Sequence, residues 1–242
     1  MSGFDVITKN QQDIVMKSLD DQLWCINPRG AAVLCLLSIA LIVSSCSVTQ
    51  PVRVLDEGTT RAAISLGGPF VPKFGIAVPT PYLNLGLMHG TTKDVTLTAD
   101  LHATMALLKN AAVDAGAAVR LLHQDGSIPE ITAKGQLYIF SDLERIVNAR
   151  IFPLVSLNGS YLLGKSTLLY AGADQMLQFD KPNYFVAPFA GTQFALSGRW
   201  SMDVELKWMA ANINAAHGIL RGTWTIGGHG DIALFFGFTY GL

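Results

Sequence analysis

A two-residue alternation of apolar and polar side chains runs from Thr59 to the end of the chain, and it limits the possible folds more than any other feature. The pattern is clearest in RWSMDVELKW, residues 199–208, where every second residue from Trp200 onward is large and apolar. Successive residues of a β-strand point to opposite faces of a sheet, whereas a helix needs apolar residues every three or four positions. The chain is therefore predicted to be all-β, with one apolar and one polar face on each strand.

Turn signals divide the alternating region into eleven strand-like segments. The segments run roughly over 60–67, 80–89, 94–104, 110–122, 130–140, 149–157, 160–171, 184–196, 200–208, 217–227 and 231–242. Asn158-Gly159 is the strongest hairpin marker, because both residues tolerate positive φ. A bacterial barrel with both termini on one side has an even number of strands, so one segment has to be wrong. We expect the error between 143 and 183, where Pro153 and Pro182 interrupt the pattern, and predict about ten strands, with eight or twelve as alternatives.

The composition is unusual for a chain without membrane helices. Charged residues make up only 14% of the 242 residues, and the formal net charge is -1. Soluble domains contain about 25% charged residues, and after Cys46 no stretch approaches the ~18 apolar residues that suggest a membrane helix. A chain of this kind fits a β-barrel whose apolar face contacts lipid. Because the charge is near neutral and forms no basic stripe, nucleic-acid binding is not expected.

Trp200 and Trp208 share the apolar face of their segment. Eight residues of strand span about 26 Å, which a tilt of about 40° reduces to a height of about 20 Å. This height is close to the ~25 Å apolar band of an outer-membrane barrel, which aromatic residues border on both sides. We therefore predict that Trp200, Trp208 and Tyr240 belong to aromatic girdles. The alternative is that the tryptophans lie in the core of a soluble β domain.

The last segment, IALFFGFTYGL, residues 232–242, continues the alternation to the final residue. It resembles the C-terminal strand of bacterial outer-membrane β-barrel proteins, although Leu242 stands where phenylalanine is usual. The resemblance implies an antiparallel up-and-down transmembrane barrel in the bacterial outer membrane, surrounded by lipid and inserted by the barrel-assembly machinery. The resemblance covers the overall pattern of residues 59–242. It identifies a class of architecture but no particular family.

The N-terminal region contains an apolar run, AAVLCLLSIALIV, residues 31–43, which follows Arg29. Its length is that of a signal-peptide core and is too short for a spanning helix. The residues Val43-Ser44-Ser45-Cys46 resemble the lipobox of bacterial lipoproteins. That resemblance implies lipidation of Cys46, and the acyl chains would suffice for stable membrane anchoring.

These features predict a signal peptide over residues 1–45, a lipidated tether over 46–58 and a barrel over 59–242. Ser47 fits sorting to the outer membrane, and the absence of an acidic run after Cys46 predicts that the anchor starts on the periplasmic side. Two alternatives stay open: a translation start at Met16, and an uncleaved anchor in the inner membrane.

Polar residues that could carry chemistry occur on one face of the segment 94–104. Asp100 and His102 could polarise a water molecule or orient a nucleophile, and Thr104 follows on the same face. His102-Ala103-Thr104 is only distantly similar to the His-x-Ser pattern of lipid A deacylases. Polar residues that line the lumen and bond to one another explain the three more simply, so no catalytic residue is predicted and they stay weak candidates.

A second polar group suggests a charge network inside the barrel. Paired charges can fill a narrow lumen, since an unpaired charge there is costly. The alternative is a selectivity lining for a small pore. The predicted network consists of Arg199, Asp203, Glu205, Lys207 and Arg221, with Arg120 near them.

No metal, cofactor or disulfide framework is predicted. All cysteines, Cys25, Cys35 and Cys46, lie in the first fifth of the chain, and the histidine spacings do not resemble a metal site. The favoured function is a small outer-membrane (lipo)protein of the cell envelope, not an enzyme, with a structural or interaction role or a place as a subunit of an outer-membrane complex. The alternatives are a narrow passive pore, a lipid-modifying enzyme, and a soluble ligand-binding β domain on a lipid tether.

Overall fold

The computed structural model describes residues 50–73, 76–143, 149–179, 184–217 and 224–242, so the predicted signal peptide and Cys46 lie outside it. The strands are β1 (Thr60–Lys73), β2 (Ile76–Pro79), β3 (Tyr82–Thr92), β4 (Val95–Leu101), β5 (Asn110–Leu122), β6 (Glu130–Asp142), β7 (Arg150–Leu163), β8 (Thr167–Leu177), β9 (Tyr184–Ser197), β10 (Trp200–Asn214) and β11 (His229–Gly241). A short helix, α1 (Ala103–Leu107), follows β4, and a 3-10 turn at Ala215–His217 follows β10.

Neighbouring strands are antiparallel, and the sheet closes because β1 pairs with β11. This register runs from Arg61 opposite Gly241 to Pro69 opposite Ala233. β3 pairs with β1 over residues 60–67, and β2 pairs with the end of β1 over residues 70–73. β1 and β2 therefore form a hairpin that extends beyond the wall. In the described part of the chain, ten strands therefore form a closed barrel, which confirms the predicted fold.

The two ends of the barrel differ in their connections. At one end, here called the turn end, the connections are 93–94, 123–129, 164–166 and 198–199. At the other, here called the loop end, they include 102–109, 143–149, 178–183 and 215–228. Both ends of the barrel sequence lie at the turn end, where the Leu242 N–H donates to the Thr60 carbonyl at 2.9 Å.

The predicted hairpin at Asn158-Gly159 is wrong, because both residues lie inside β7. Asn158 pairs with Thr132 on one side and Gly172 on the other, and its side chain is buried in the lumen. The turn comes later, at Gly164, whose φ of 63° favours glycine. Pairing on both edges of β7 outweighs the local turn preference of the Asn-Gly pair.

The surplus strand also lies elsewhere than expected. Segment 143–183 contributes β7 and β8, but the predicted strand 217–227 is absent from the described residues of that region. His217 ends the 3-10 turn, and Ile226 makes only an isolated bridge to His229. β10 pairs directly with β11, so no strand from this segment stands between them in the wall.

The predicted strand 94–104 ends early, at Leu101. The His102 N–H still donates to the Ala112 carbonyl at 3.0 Å, and α1 begins at the next residue. Beyond β4, the Thr104 hydroxyl accepts the Leu83 N–H at 2.7 Å. The Thr104 side chain thus takes the place of a β4 backbone acceptor beyond the end of that strand. It satisfies the Leu83 N–H, which would otherwise lack a partner.

The alternation separates the outer surface from the lumen as predicted. On β10, Leu206 is 50% exposed on the outside, while Asp203, Glu205 and Lys207 are at most 4% exposed. Leu97 and Leu101 of β4 are likewise exposed outside, and Asp100 is buried inside. The described residues contain no helix long and apolar enough to cross a membrane. The apolar outer wall and polar interior are those of a barrel surrounded by lipid.

Glycines make room for large side chains inside the lumen. A Cβ on Gly191 would overlap the hydroxyl of Tyr170, and one on Gly116 would overlap the side chain of Gln136. The lumen is therefore packed with side chains at these heights, as expected for a small barrel.

Candidate functional site in the barrel lumen

Charged side chains fill the middle of the lumen, in a group here called the central layer. It consists of Asp100, Asp114, Lys134, Asp174, Glu205 and Lys207, all of them buried. The Lys207 Nζ donates to Asp174 Oδ2 at 2.9 Å and lies 3.2 Å from Glu205 Oε1. The same Nζ lies 5.1 Å from the centre of the Phe189 ring. The six groups come from the inward faces of five strands, β4, β5, β6, β8 and β10, so the layer joins different sides of the wall.

The structure brings together only part of the predicted charge network. Asp203, Glu205 and Lys207 face the lumen, and Asp203 accepts bonds from Gln193 at 2.8 Å and Thr239 at 3.4 Å. Arg199 lies in the turn between β9 and β10, and its side chain is exposed outside the network, because the strand alternation stops there. Arg221 lies outside the described residues.

His102 lies at the centre of a buried hydrogen-bonded relay. Its Nδ1 is 2.5 Å from the Tyr82 hydroxyl, and its Nε2 is 2.8 Å from Asp114 Oδ2. Gln136 donates to the other Asp114 oxygen at 3.0 Å. The partner of His102 is thus Asp114 of β5. Asp100 lies opposite Asp114 in the β4–β5 register.

Aromatic rings enclose this relay. The His102 ring centre is 5.4 Å from that of Tyr138 and 6.1 Å from that of Phe140. Thr104, the third of the weak catalytic candidates, is buried and has its hydroxyl engaged by the backbone of Leu83. A tyrosine, a histidine and a carboxylate in series could in principle move a proton. Tyr82, His102 and Asp114 are at most 3% exposed, and this burial favours a packing role.

Replacing His102 with Phe is expected to lower the free energy of unfolding by about 1–3 kcal/mol. The phenylalanine ring retains the aromatic packing, but the Tyr82 hydroxyl and Asp114 carboxylate lose a buried partner. Urea unfolding in phospholipid vesicles measures the change. The matched control is His229→Phe, at an exposed position near the loop end, which should change stability by less than about 0.5 kcal/mol. Equal effects at both positions would contradict a structural role for the relay.

The first part of the segment before β1, residues 50–55, lies inside the barrel, whereas residues 56–58 are exposed at the turn end. Residues 50–58, here called the strap, were predicted to belong to a tether, yet Val52, Val54 and Leu55 are each at most 6% exposed. Val52 packs in a cluster with the lumen residues Leu168, Tyr170 and Phe189. The three apolar residues of Val52-Arg53-Val54-Leu55 are the sequence feature from which a partly buried segment could have been predicted.

Polar contacts fasten the strap to the lumen wall. Arg53 Nε donates to Glu130 Oε2 at 2.8 Å, and Arg53 Nη2 donates to Gln124 at 3.1 Å. Arg120, predicted as a neighbour of the charge network, also lies against Glu130, with its Nε 3.1 Å from the same oxygen. The Gln50 amide reaches the Tyr138 hydroxyl at 3.2 Å. The strap therefore extends from the turn end toward the aromatic rings around His102.

A cavity of about 510 Å³ adjoins the strap. Arg61, Met88, Leu168, Gln193, Asp203 and Thr239 line it together with the strap itself. None of the relay residues lines this cavity, so it belongs to the turn-end half of the lumen alone.

The predicted girdle residues lie at two heights of the barrel. Trp200 is 48% exposed, and its ring centre is 4.8 Å from that of Tyr240 near the turn end. Trp208 pairs with Ile232 in the register farther up, and its indole N–H donates to the His229 carbonyl at 2.9 Å. Their place in aromatic girdles at the two membrane interfaces stays a prediction.

The closed wall, apolar outside and charged lumen define the class of protein: a small transmembrane β-barrel of the bacterial outer-membrane type. No protein-family model matches this chain, and no curated protein matches it. Among the described residues, no cluster of His, Cys, Asp and Glu has the arrangement of a metal site.

Solved structures of bacterial outer-membrane proteins are similar to this chain in fold. An outer membrane channel from Pseudomonas putida F1 is 10% identical over 83% of this chain and 100% of that chain, with a TM-score of 0.41. The translocator domain of autotransporter NalP from Neisseria meningitidis is 11% identical over 94% and 97%, with a TM-score of 0.42. The outer membrane protease OmpT from Escherichia coli is 11% identical over 79% and 100%, with a TM-score of 0.36. At these identities the similarity concerns the fold alone.

Sequence reasoning missed Tyr82, Asp114, Lys134 and Asp174. Each occupies an inward position of its strand, so the alternation could have assigned it to the lumen. Its contact partners could not have been found in this way, because they come from other strands whose register only the closed sheet determines.

Proposed function

We propose that this chain is a small, closed outer-membrane β-barrel with a structural or interaction role in the bacterial cell envelope. The observation that carries the proposal is the obstruction of the lumen at two levels, by the strap at the turn end and by the central layer above it. Side chains can fill a barrel of this size, whereas much larger barrels leave an aqueous channel. Both obstructions favour a closed barrel over a passive pore.

The ends of the barrel suggest its orientation in the membrane. In outer-membrane barrels the short turns face the periplasm and the longer loops face outward. The turn end, with Thr60 and Leu242, is therefore proposed to be periplasmic, where the barrel-assembly machinery would act on the chain. Partners such as other outer-membrane subunits would bind at the loops or at the periplasmic opening.

A lipid anchor at Cys46, starting on the periplasmic side, is part of this proposal. The support for it is the lipobox-like sequence Val43-Ser44-Ser45-Cys46. Cells that express the chain should incorporate radioactive palmitate into it, and a Cys46→Ser variant should incorporate none. Cys35→Ser is the matched control and should keep the label. Label that survives the change at Cys46 would show that the anchor is not formed at that residue.

The intact protein is expected to show no single-channel conductance in planar bilayers. The physical reason is that the strap and the Lys207–Asp174 pair occupy the lumen at two levels. Recordings at both polarities, with a large porin as the positive control, measure this. Stepwise current that scales with protein concentration would overturn the proposal and favour the pore.

A lipid-modifying enzyme is the second candidate, and the Tyr82–His102–Asp114 relay is the observation that favours it. Its burial beneath aromatic rings counts against substrate access. The His102→Phe variant separates the two, since an enzyme would lose lipid turnover while the barrel still folds, and a structural relay would change stability alone.

A further inference from the structure

The strap, whose backbone bends at Val52 and Arg53, is held by side chains of the barrel as a peptide is held in a binding site. Between residues 50 and 55 it pairs with no strand of the barrel. Its contacts are instead made by inward-facing side chains of the wall, and the cavity of about 510 Å³ remains beside it. The residues that hold it are here called the peptide site: Thr96, Glu130, Leu168 and Phe189 of the wall, and Gln124 of the turn-end connection 123–129.

Two side chains of the strap are recognised individually. Arg53 binds the Glu130 carboxylate and the Gln124 amide oxygen, which is the charge-assisted recognition expected for a guanidinium. Val52, the residue before it, enters the apolar cluster with Leu168 and Phe189. An apolar residue followed by arginine is therefore the sequence that this part of the wall fits.

The wall also recognises the strap backbone. The Leu55 N–H donates to the Thr96 hydroxyl at 2.8 Å, and Arg120 Nη2 donates to the Val54 carbonyl at 3.3 Å. The Asp56 carbonyl occupies the space that a Cβ on Gly90 would fill. These backbone contacts do not depend on the side chains of the strap, whereas Glu130 and the apolar cluster contact its side chains.

We propose that the peptide site recognises peptides of the pattern apolar–Arg–apolar–apolar, and that the strap is its intramolecular occupant. The inference rests on the proposed interaction role and names its partner class: an unstructured segment of another envelope protein that enters from the turn end. The charge of Glu130 and the apolar cluster favour such a peptide over an anionic ligand or a lipid. Binding of the partner requires displacement of the strap.

A covalently attached strap competes strongly with a free peptide. Its effective concentration is of millimolar order for a short linker, so the unchanged chain should bind a free peptide weakly. Arg53→Glu places a carboxylate against Glu130 and should release the strap without altering the wall. Release of the strap is therefore the condition that makes the peptide site measurable.

The test uses the full chain in detergent micelles and a fluorescein-labelled peptide, QPVRVLDE, with the sequence of residues 50–57. The Arg53→Glu chain should bind this peptide at least about tenfold more tightly than the unchanged chain, measured by fluorescence polarisation. The control peptide QPVEVLDE should not bind, because its glutamate meets Glu130. Adding Glu130→Gln to the Arg53→Glu chain should abolish the preference between the peptides.

Heat-modifiable gel migration establishes that each variant is a folded barrel. If Arg53→Glu does not fold, Val52→Asp serves as the second strap-releasing variant with the same expectation. Equal binding of both peptides, no binding to a folded strap-released variant, or equally tight binding to the unchanged chain would each overturn the peptide site. None of these results changes the conductance measurement, which tests the closed barrel separately.

Discussion

Replacing Lys207 with Met is expected to lower the free energy of unfolding by about 3–5 kcal/mol. The substitution keeps the length of the side chain but removes the cation that lies within 2.9 Å of Asp174 and 3.2 Å of Glu205. Both carboxylates then remain in the lumen without their shared lysine, and an uncompensated buried charge is strongly destabilising. Urea unfolding in phospholipid vesicles, followed by tryptophan fluorescence, measures the loss.

The matched control for this change is Lys165→Met, in the exposed turn between β7 and β8, which should alter stability by less than about 0.5 kcal/mol. Adding Asp174→Asn to the Lys207→Met chain should recover part of the loss, because one of the stranded charges is removed. If Lys207→Met and Lys165→Met unfold at the same urea concentration, the central layer does not stabilise the barrel.

Replacing Leu157 with Arg is expected to destabilise the barrel in a bilayer by about 2–4 kcal/mol. Leu157 lies near the middle of β7 and is 55% exposed on the outer surface, where hydrocarbon would surround an arginine. Measuring unfolding in vesicles, together with the fraction of chain inserted, determines the cost. The change also tests the orientation of the strand, since an inward residue at this position would instead meet the polar lumen.

Leu163→Arg provides a control on the same strand and the same face. Leu163 ends β7 at the turn end and is 45% exposed, so its arginine reaches the membrane interface and should cost only about 0–1 kcal/mol. A cost that is the same at Leu157 and Leu163 would show that the outer wall does not contact lipid with the depth dependence of a spanning strand.

The faces of the strands were predictable because alternation is a local property of extended backbone. Asp203, Glu205 and Lys207 were assigned to the interior from their spacing in the sequence, and all three are buried in the lumen. The same reasoning failed at Arg199, which follows the same spacing but lies in a turn where the strand geometry has ended. A period of two residues indicates a face only as far as the strand continues.

The ends of the strands were less predictable because turns compete with pairing. Asn158-Gly159 has the composition of a hairpin turn, yet both neighbours of β7 pair with these residues and keep the strand extended. Conversely, the alternation of 94–104 continues beyond Leu101, where the chain turns into α1. Local propensity is weak compared with the hydrogen bonds that closure of the sheet supplies on both edges.

In the candidate site, too, contacts between distant segments could not be predicted from the sequence. Sequence spacing related His102 to Asp100, two residues away, whereas its hydrogen-bond partners Tyr82 and Asp114 come from β3 and β5. The strap had the composition of a tether, and its burial depends on a lumen that many separate strands enclose. Contacts between distant segments depend on register, which no single segment contains.

The sequence by itself determined that the chain would form strands with one apolar and one polar face, and that the apolar faces would exceed what a soluble surface needs. Only the tertiary structure decided which carboxylates contact Lys207, which residues surround His102 and that residues 50–55 occupy part of the lumen at the turn end. The physical reason is that side-chain direction follows from the backbone of one strand, whereas pairing of buried charges and occupation of the lumen follow from closure of the whole sheet.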